Sequence, residues 1–234
     1  MKVAVIPARG GSKRIPRKNI RPFCGKPMLA WSVSAAHASG VFERIIVSTD
    51  DDEIAAVAMA AGAEAPFRRA AHLSDDHATT ADVIRDALVW LQQNGSPVSE
   101  CCCIYPTAPM LQPGDLVQAR NLLQAGGKSY VFSAASFRYP VQRALYRTET
   151  GGVAMFQPEH RLTRSQDLVP AFHDAGMFYY GLASAWLSGQ PIFSEHAAPL
   201  LLPLTRVQDI DTEEDWQFAE LLFAIQHGKQ GAAP

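Results

Sequence analysis

Residues 3–13 read Val3-Ala4-Val5-Ile6-Pro7-Ala8-Arg9-Gly10-Gly11-Ser12-Lys13 and are the most informative segment of the sequence. A short apolar run that ends at Pro7 predicts a buried first strand. The loop after it combines two adjacent glycines with five cations within ten residues, namely Arg9, Lys13, Arg14, Arg17 and Lys18. Glycines let backbone amides approach a ligand closely, and clustered cations attract anions, so the stretch predicts a phosphate-binding loop at a strand end.

This loop matches neither of two common nucleotide motifs. The Gly-x-x-x-x-Gly-Lys-Ser/Thr spacing is absent, and so is Gly-x-Gly-x-x-Gly. The missing dinucleotide glycines argue against an NAD-dependent dehydrogenase. A solvated basic loop is the alternative interpretation, but a glycine pair beside so many cations at a strand end favours phosphate binding.

Strand-like and helix-like periodicities alternate along the chain. Further strands are predicted at 44–48, 101–104, 130–134, 177–181, 200–202 and 207–211. Helices are predicted at 28–39, 54–61, from Thr79 or Thr80 to Gly95, at 116–123 and across 218–225. The pattern indicates a three-layer α/β domain with its functional residues at one edge of the sheet. Periodicity weakens from 137 to about 174, which indicates an inserted arm, either a lid or a dimer contact.

Composition narrows the function classes. The 234 residues carry 21 Lys and Arg against 23 Asp and Glu, a net charge of −2, so no global basic field is available for nucleic acid or an anionic membrane. No apolar run reaches about 20 residues, and the N-terminus lacks the pattern of a secretory signal. A cytoplasmic protein is therefore expected. The adjacent cysteines 101–103 are predicted to be reduced thiols in a buried strand.

The second informative motif is Asp209-Ile210-Asp211, after an extended run and before the last helix. On a strand, residues two apart face the same side about 6.6 Å apart, so both carboxylates can bind one hard cation such as Mg²⁺. The alternative is that these acids only cap the helix, with Asp211 or Thr212 as the cap and Asp215 completing a capping box. That interpretation leaves Asp209 without a role.

A phosphate loop and a two-carboxylate site at one sheet edge indicate nucleoside triphosphate chemistry, and the chain resembles the CMP-nonulosonate (sialic acid-type) cytidylyltransferases. The resemblance spans nearly the whole chain and is carried by residues 6–13 with 18–19, 46–50, 106–109 and 209–212. It implies a Rossmann-like nucleotidyltransferase sheet, mixed but mostly parallel, in a single domain (1–234). It also implies an inserted dimerisation arm (137–176), a homodimer, and transfer of CMP from CTP to the anomeric hydroxyl of an acidic nine-carbon sugar.

The resemblance implies roles for individual residues. Those implied to bind the nucleotide are Arg9, Gly10, Gly11, Ser12, Lys13, Lys18, Asn19, Arg69, Asp76, Thr79 and Thr80. Asp209 and Asp211 are implied to bind Mg²⁺. Arg9, Lys13, Lys18 and Asp211 form the predicted catalytic set. No general base is evident from the sequence.

On the sugar side, the resemblance implies contacts from Tyr105, Gln142, Arg164, Gln166 and His173, with the arm reaching the site of the dimer partner. Sialic acid synthetases carry Gln at the position of Tyr105 and Lys at that of Gln142, which puts N-acetylneuraminate in doubt. Residues 24–27, 73–76 and 173–176 are most similar to members that use pseudaminic acid, the favoured acceptor. N-acylneuraminate, legionaminate and 3-deoxy-octulosonate remain alternative acceptors. An alternative outside the enzymes is a non-catalytic nucleotide-binding module.

Overall fold

One mixed sheet organises the chain in a computed structural model, which describes residues 1–75 and 78–228. The strands are β1 Lys2–Pro7, β2 Pro22–Phe23, β3 Lys26–Pro27, β4 Arg44–Ser48, β5 Glu100–Ile104, β6 Tyr130–Ser136, β7 Leu145–Arg147, β8 Val153–Met155, β9 Phe172–Leu182 and β10 Ala197–Leu201. Within the described residues, six of them form the main sheet in the order β10-β6-β9-β5-β1-β4. β9 runs antiparallel to β5 and β6, and the other neighbouring strands are parallel. The predicted mixed, mostly parallel sheet is confirmed.

The helices cover both faces of this sheet. They are α1 Met28–Ser39, α2 Asp52–Ala60, α3 Thr80–Gln93, α4 Pro113–Ala125, α5 Ala183–Ser188 and α6 Glu213–Gly228. α3 and α5 pack on one face, and α1, α2, α4 and α6 pack on the other, so the predicted three-layer arrangement is confirmed. No helix in the described part of the chain is long and apolar enough to cross a membrane.

The central strands are apolar throughout because both of their faces are buried. On β1, Val3 and Val5 enter the core under α3, whereas Ala4 and Ile6 enter the opposite core. The cysteines of β5 alternate in the same way, are fully buried and are free thiols. Their predicted place in a buried strand is confirmed.

Local signals set several boundaries. α1 begins directly after Pro27 and ends at Gly40, whose φ of 63° is the left-handed conformation that glycine adopts readily. Thr79 caps α3 by accepting a hydrogen bond from the Asp82 amide. Both features agree with the sequence pattern.

Two predicted strands need correction. β9 begins at Phe172 rather than at Met177, because its first residues pair with the end of β6. The segment 207–211 is not a strand. A 3-10 turn over Leu204–Arg206 redirects the chain after β10, so this segment has no neighbouring strand with which to form a ladder.

Residues 137–171, between β6 and β9, form the arm. The predicted arm extended to residue 176, but residues 172–176 belong to β9. The arm contains the β7–β8 hairpin and short 3-10 turns. Several of its large apolar side chains face solvent, among them Tyr139 (81% exposed) and Leu162 (85% exposed). The arm is therefore an apolar surface attached to a well-packed domain.

Candidate active site

Three adjoining cavities lie beside the ends of β1 and β5. These strands are parallel, so the loops that follow them meet at one edge of the sheet. The central cavity (about 380 Å³) lies beside the loop after β1, and the α3 cavity (about 240 Å³) lies at the start of α3. The β9 cavity (about 460 Å³) lies at the start of β9. Tyr105 lines all three cavities, so they adjoin one another around this residue and together make up the cleft.

The central cavity brings together the two motifs that the sequence analysis singled out. Its lining includes Arg9, Ser12, Lys13, Arg14, Lys18, Asn19, Asp209 and Asp211. The Nζ of Lys18 donates to the carbonyl oxygen of Ile210 at 2.6 Å and lies 3.4 Å from Oδ1 of Asp211. Nη1 of Arg14 donates to Oδ2 of Asp211 at 2.7 Å. The cationic loop and the acidic pair therefore contact each other directly.

Asp209 and Asp211 both face the central cavity, although their segment is not a strand. Ile210 between them is fully buried, so the expected alternation of side chains holds in an irregular backbone. Burial raises the pKa of Asp209, the negative charge of Asp211 raises it further, and Lys18 opposes both effects. A nearby cation would relieve this repulsion.

The capping interpretation is also correct for two of the residues that it named, Thr212 and Asp215. The Thr212 amide donates to Oδ2 of Asp215 at 2.8 Å, and the Asp215 amide donates to Oγ1 of Thr212 at 3.2 Å. This is the predicted capping box at the start of α6. Because Asp215 serves the helix, Asp209 and Asp211 remain available to the cavity.

The donor set fits a hard divalent cation. Carboxylate oxygens are preferred ligands of Mg²⁺, which commonly takes one or two of them and completes its shell with water and substrate phosphates. Among the described residues, no group of three or more His, Cys, Asp or Glu side chains is placed to hold a metal ion. A cation bound here would therefore depend on the nucleotide for further ligands.

The acidic cluster after β4 anchors the loop after β1. Asp51 caps α2 by accepting from the Ile54 amide at 2.9 Å, and it also accepts from both terminal nitrogens of Arg17 at 2.5 and 3.0 Å. The Arg17 hydrogen bonds hold the pKa of Asp51 at about 2. The Gly10 amide donates to Oδ1 of Asp50 at 3.0 Å. Arg17 is thus an anchor of the loop, a role that the sequence analysis did not assign.

The α3 cavity contains the buried Arg69. Its side chain is 3% exposed, lies 3.8 Å from Asp50, and its Nη2 has no hydrogen-bond partner among the described residues. Burial lowers the pKa of Arg69 while Asp50 opposes the shift. Nη1 of Arg9 donates to the carbonyl oxygen of Asp75 at 2.7 Å and so joins this cavity to the loop. A polar ligand group would give Arg69 its missing partner.

Other predicted nucleotide residues occupy distinct positions. Asn19 is buried and donates from Nδ2 to the carbonyl oxygen of Arg9 at 3.0 Å, which braces the loop. Thr80 lines the α3 cavity, whereas Thr79 engages Asp82 as the helix cap. The predicted residue Asp76 lies outside the described residues.

The predicted sugar residues divide into two groups. Tyr105 and His173 line the β9 cavity. Gln142 and Gln166 line a separate cavity of about 380 Å³ within the arm, and Arg164 is 72% exposed and paired with Asp167. In the described part of one chain, the arm residues therefore do not border the cleft.

Sequence reasoning missed two residues at the β9 cavity. The Tyr179 hydroxyl donates to Oδ2 of Asp174, and both residues line this cavity. Asp174 stands beside His173 in a segment already noted, but Tyr179 lies in an apolar run that indicates only a core strand.

Comparisons with known proteins agree with this geometry. A family model described as Cytidylyltransferase matches residues 3–227. The chain is 45% identical over 225 residues to a pseudaminic acid cytidylyltransferase of Campylobacter jejuni, covering 96% of this chain and 97% of the relative. It is 33% identical to a CMP-N,N'-diacetyllegionaminic acid synthase of Legionella pneumophila, covering 95% and 96% of the two chains.

A solved structure shows the same fold at low sequence identity. It is a CMP:2-keto-3-deoxy-manno-octonic acid synthetase complexed with CTP, with a TM-score of 0.69, 15% identity, and coverage of 96% of this chain and 99% of that one. The predicted Rossmann-like nucleotidyltransferase sheet is confirmed. The family model and the full-length relatives together show that the chain belongs to the cytidylyltransferase family and is an enzyme of that family.

Proposed function

We propose that the protein transfers CMP from CTP to the anomeric hydroxyl of an acidic nine-carbon sugar and releases pyrophosphate, with pseudaminic acid as the favoured acceptor. The observation that carries this proposal is the lining of the central cavity. Arg9, Lys13 and Lys18 border the same cavity as Asp209 and Asp211. Cations suit the triphosphate, and the two carboxylates would suit a divalent cation that neutralises phosphate charge.

Most of the catalysis consists of positioning and charge neutralisation. Arg9, Ser12 and Lys13, with the amide of Gly11, bind the triphosphate. Gly10, whose amide donates to Asp50, lets the backbone of the loop approach it closely. Asn19, Arg69 and Thr80 line the space next to it and bind the nucleoside part. The anomeric hydroxyl releases its proton to solvent, and its oxygen forms a bond to the α-phosphorus as the bond to pyrophosphate breaks. Lys18 offsets the negative charge that develops there.

Asp209 and Asp211 hold Mg²⁺ in this proposal. When bound, Mg²⁺ neutralises phosphate charge and lowers the pKa of a coordinated hydroxyl. Asp209 must be ionised to serve as a ligand, and Lys18 helps to keep it so. Lys18 and Arg14 pair with Asp211 in this structure. When the triphosphate binds, both side chains turn from Asp211 toward its phosphates.

The acceptor sugar occupies the β9 cavity. This cavity shares Tyr105 and Asp209 with the central cavity, so a sugar there is adjacent to the reacting phosphate. The cations of the central cavity attract the sugar carboxylate. The relative named for pseudaminic acid is 45% identical and the one named for legionaminic acid is 33% identical, which supports pseudaminic acid.

The protein acts as a homodimer in which each arm completes the partner's site. Arg164 and Gln166 lie away from the cleft of their own chain, and exposed apolar side chains of the arm need a covering surface. The guanidinium of Arg164 can bind a carboxylate with two hydrogen bonds. We place the reaction in the cytoplasm, which supplies CTP and keeps buried cysteines reduced.

Pyrophosphate release tests the reaction and the acceptor together. The purified protein is incubated with CTP, Mg²⁺ and, in separate reactions, pseudaminic acid, legionaminic acid, N-acetylneuraminic acid and 3-deoxy-octulosonic acid. We expect the highest kcat/KM with pseudaminic acid. A higher value with N-acetylneuraminic acid contradicts the acceptor assignment. CTP binding without pyrophosphate release from any of these sugars favours a non-catalytic nucleotide-binding module.

A further inference from the structure

An irregular segment of β9 shapes the wall of the β9 cavity. Phe132 pairs with Tyr179 and Ala134 pairs with Asp174, so the single residue Ser133 lies opposite residues 175–178. Oγ of Ser133 accepts hydrogen bonds from the amides of Met177 and Phe178, both at 3.1 Å. Gly176 within this segment has φ 61°, which glycine adopts without strain. The bulge brings Asp174 back onto the side chain of Tyr179.

From Asp174 a line of side-chain contacts crosses the cleft. Oδ1 of Asp174 accepts from the Gly176 amide at 2.9 Å, and Oδ2 accepts from the Tyr179 hydroxyl. The rings of Tyr179 and Tyr105 pack edge to face, with their centroids 5.7 Å apart. The Tyr105 hydroxyl lies 3.0 Å from Oγ1 of Thr80 at the start of α3. The line therefore connects the β9 cavity to the α3 cavity through Tyr105.

Asp174 fixes the orientation of Tyr179. A carboxylate only accepts hydrogen bonds, so Tyr179 must donate to it, and this bond holds the Tyr179 ring against Tyr105. Burial raises the pKa of both phenols, so both hydroxyls stay protonated. Without Asp174, a half-buried hydroxyl loses its acceptor and the two rings lose their fixed orientation.

We propose that Asp174 is a positioning residue that determines acceptor specificity, because it holds Tyr179, and through it Tyr105, in the orientation that receives the acceptor sugar. The proposal rests on the proposed function. Asp174 also places negative charge in the β9 cavity, whereas Arg9, Lys13 and Lys18 line the central one. An acidic sugar therefore binds with its carboxylate toward those cations and with hydroxyl or amide N–H groups toward Asp174.

The test compares Asp174→Asn and Tyr179→Phe with a matched control, Tyr180→Phe. Tyr180 is the next residue on the same strand, and its hydroxyl also donates to a carboxylate, Oε2 of Glu100, at 2.7 Å. It packs in the opposite core, away from the cleft. For each variant, KM for the acceptor sugar, KM for CTP, kcat, Tm and direct CTP binding are measured with pseudaminic acid and N-acetylneuraminic acid as acceptors.

Loss of a buried hydrogen bond predicts a rise of about 10-fold in acceptor KM for both variants, with KM for CTP within about twofold of the native value. Selectivity between the two sugars falls in parallel. In the double variant, acceptor KM is no higher than in the more affected single variant, because Asp174 acts through Tyr179. Tyr180→Phe lowers Tm without changing either KM.

The proposal is overturned if acceptor KM and selectivity stay within about twofold of native in both variants, or if KM for CTP rises as much as KM for the sugar. If Asp174→Asn does not fold, Tyr179→Phe, which keeps the ring, decides by the same criteria. Failure of the proposed function is a separate result. In that case the native protein binds CTP but transfers CMP to neither sugar.

Discussion

The loop after β1 and the arm differ in how many of their side chains find partners within the same chain. The loop is tied to three other segments: Arg17 pairs with Asp51, Lys18 with Ile210 and Asp211, and Arg9 with Asp75. The arm instead exposes apolar side chains and holds Arg164 on its surface. The part of the cleft that we assign to the nucleotide is therefore held in place by contacts within one chain, whereas the part that we assign to the acceptor depends in our proposal on a second chain.

This difference separates the tasks of the two regions. Binding a triphosphate needs cations in fixed positions, and cations held close together repel one another. Asp50, Asp51 and Asp211 offset this repulsion through their contacts with the loop and with Arg69. The acceptor needs discrimination between similar sugars, which comes from the placement of a few polar groups. Substitutions in the loop should therefore affect CTP, and substitutions in the arm should affect the sugar.

The largest effect is expected for Asp209→Ala. Loss of one of two metal ligands should lower kcat by about 100-fold or more while CTP binding changes little. Asp215→Asn is the control, since that residue caps α6 and should cost about 1 kcal/mol of stability with kcat retained. Steady-state kinetics and calorimetric CTP binding measure both. A native-like kcat in Asp209→Ala removes the acidic pair from the mechanism.

Mixing variants tests whether the arm serves the partner. Arg164→Ala should raise acceptor KM by about 10-fold or more, because a charge-assisted carboxylate contact is lost. When Arg164→Ala and Asp209→Ala chains are mixed and allowed to exchange, one site of each mixed dimer is intact, so activity should recover to about a quarter of native. Asp209→Ala mixed with Asp211→Ala is the control and should not recover. Equal activity in the two mixtures contradicts a shared site.

Gly10→Ala tests the packing of the loop. A Cβ at Gly10 would lie 2.7 Å from Oδ2 and 3.1 Å from Cβ of Asp51, which is held by Arg17 and by the cap of α2. The resulting strain should cost about 1–3 kcal/mol of stability and raise KM for CTP more than KM for the sugar. At Gly11 an added Cβ meets nothing within 4 Å, so Gly11→Ala should keep native stability. Equal melting temperatures for the two variants would refute this packing argument.

The smallest effect is a pH-dependent one at Arg17. The folded-state pKa of Asp51, about 2, lies below its unfolded value, so the pair stabilises the fold above about pH 4 and loses this contribution as pH falls toward 2. Arg17→Met should therefore lower stability by about 1–2 kcal/mol at pH 7, with the difference shrinking below pH 4. Denaturant unfolding at several pH values measures it.

Arg68→Met is the control for Arg17→Met, because Arg68 pairs with the almost fully exposed Asp52. A surface pair of this kind contributes about 0.5 kcal/mol or less. If Arg17→Met lowers the free energy of unfolding by the same amount at pH 7 and at pH 2.5, the lost stability does not come from the ion pair with Asp51.

Local signals made much of this fold predictable. α1 and β4 have the predicted bounds because apolar periodicity, Pro27 and Gly40 act within a few residues. The approach of Lys18 to Asp211 could be expected because both segments were assigned to one sheet edge. By contrast, 207–211 was wrongly predicted as a strand, since pairing depends on distant neighbours. The anchoring role of Arg17 could not be predicted, because the sequence does not show which of the five cations of this loop pairs with Asp51.

The acceptor side was less predictable for the same reason. His173 and Tyr105 were expected at the sugar and do border the β9 cavity, but their roles remain predictions. Tyr179 acquires a polar partner only because the bulge opposite Ser133 returns Asp174 to it. Such a bulge has no simple signature in one sequence beyond Gly176.

A crystal structure of the protein with CTP and Mg²⁺ would show whether the triphosphate and the cation share the central cavity. We expect the triphosphate to lie against Arg9 and Lys13, with the cation bound to both Asp209 and Asp211 and to phosphate oxygens. We also expect Lys18 to turn from Asp211 toward phosphate. A triphosphate bound outside the central cavity, or a cation that contacts neither carboxylate, would contradict the proposed mechanism.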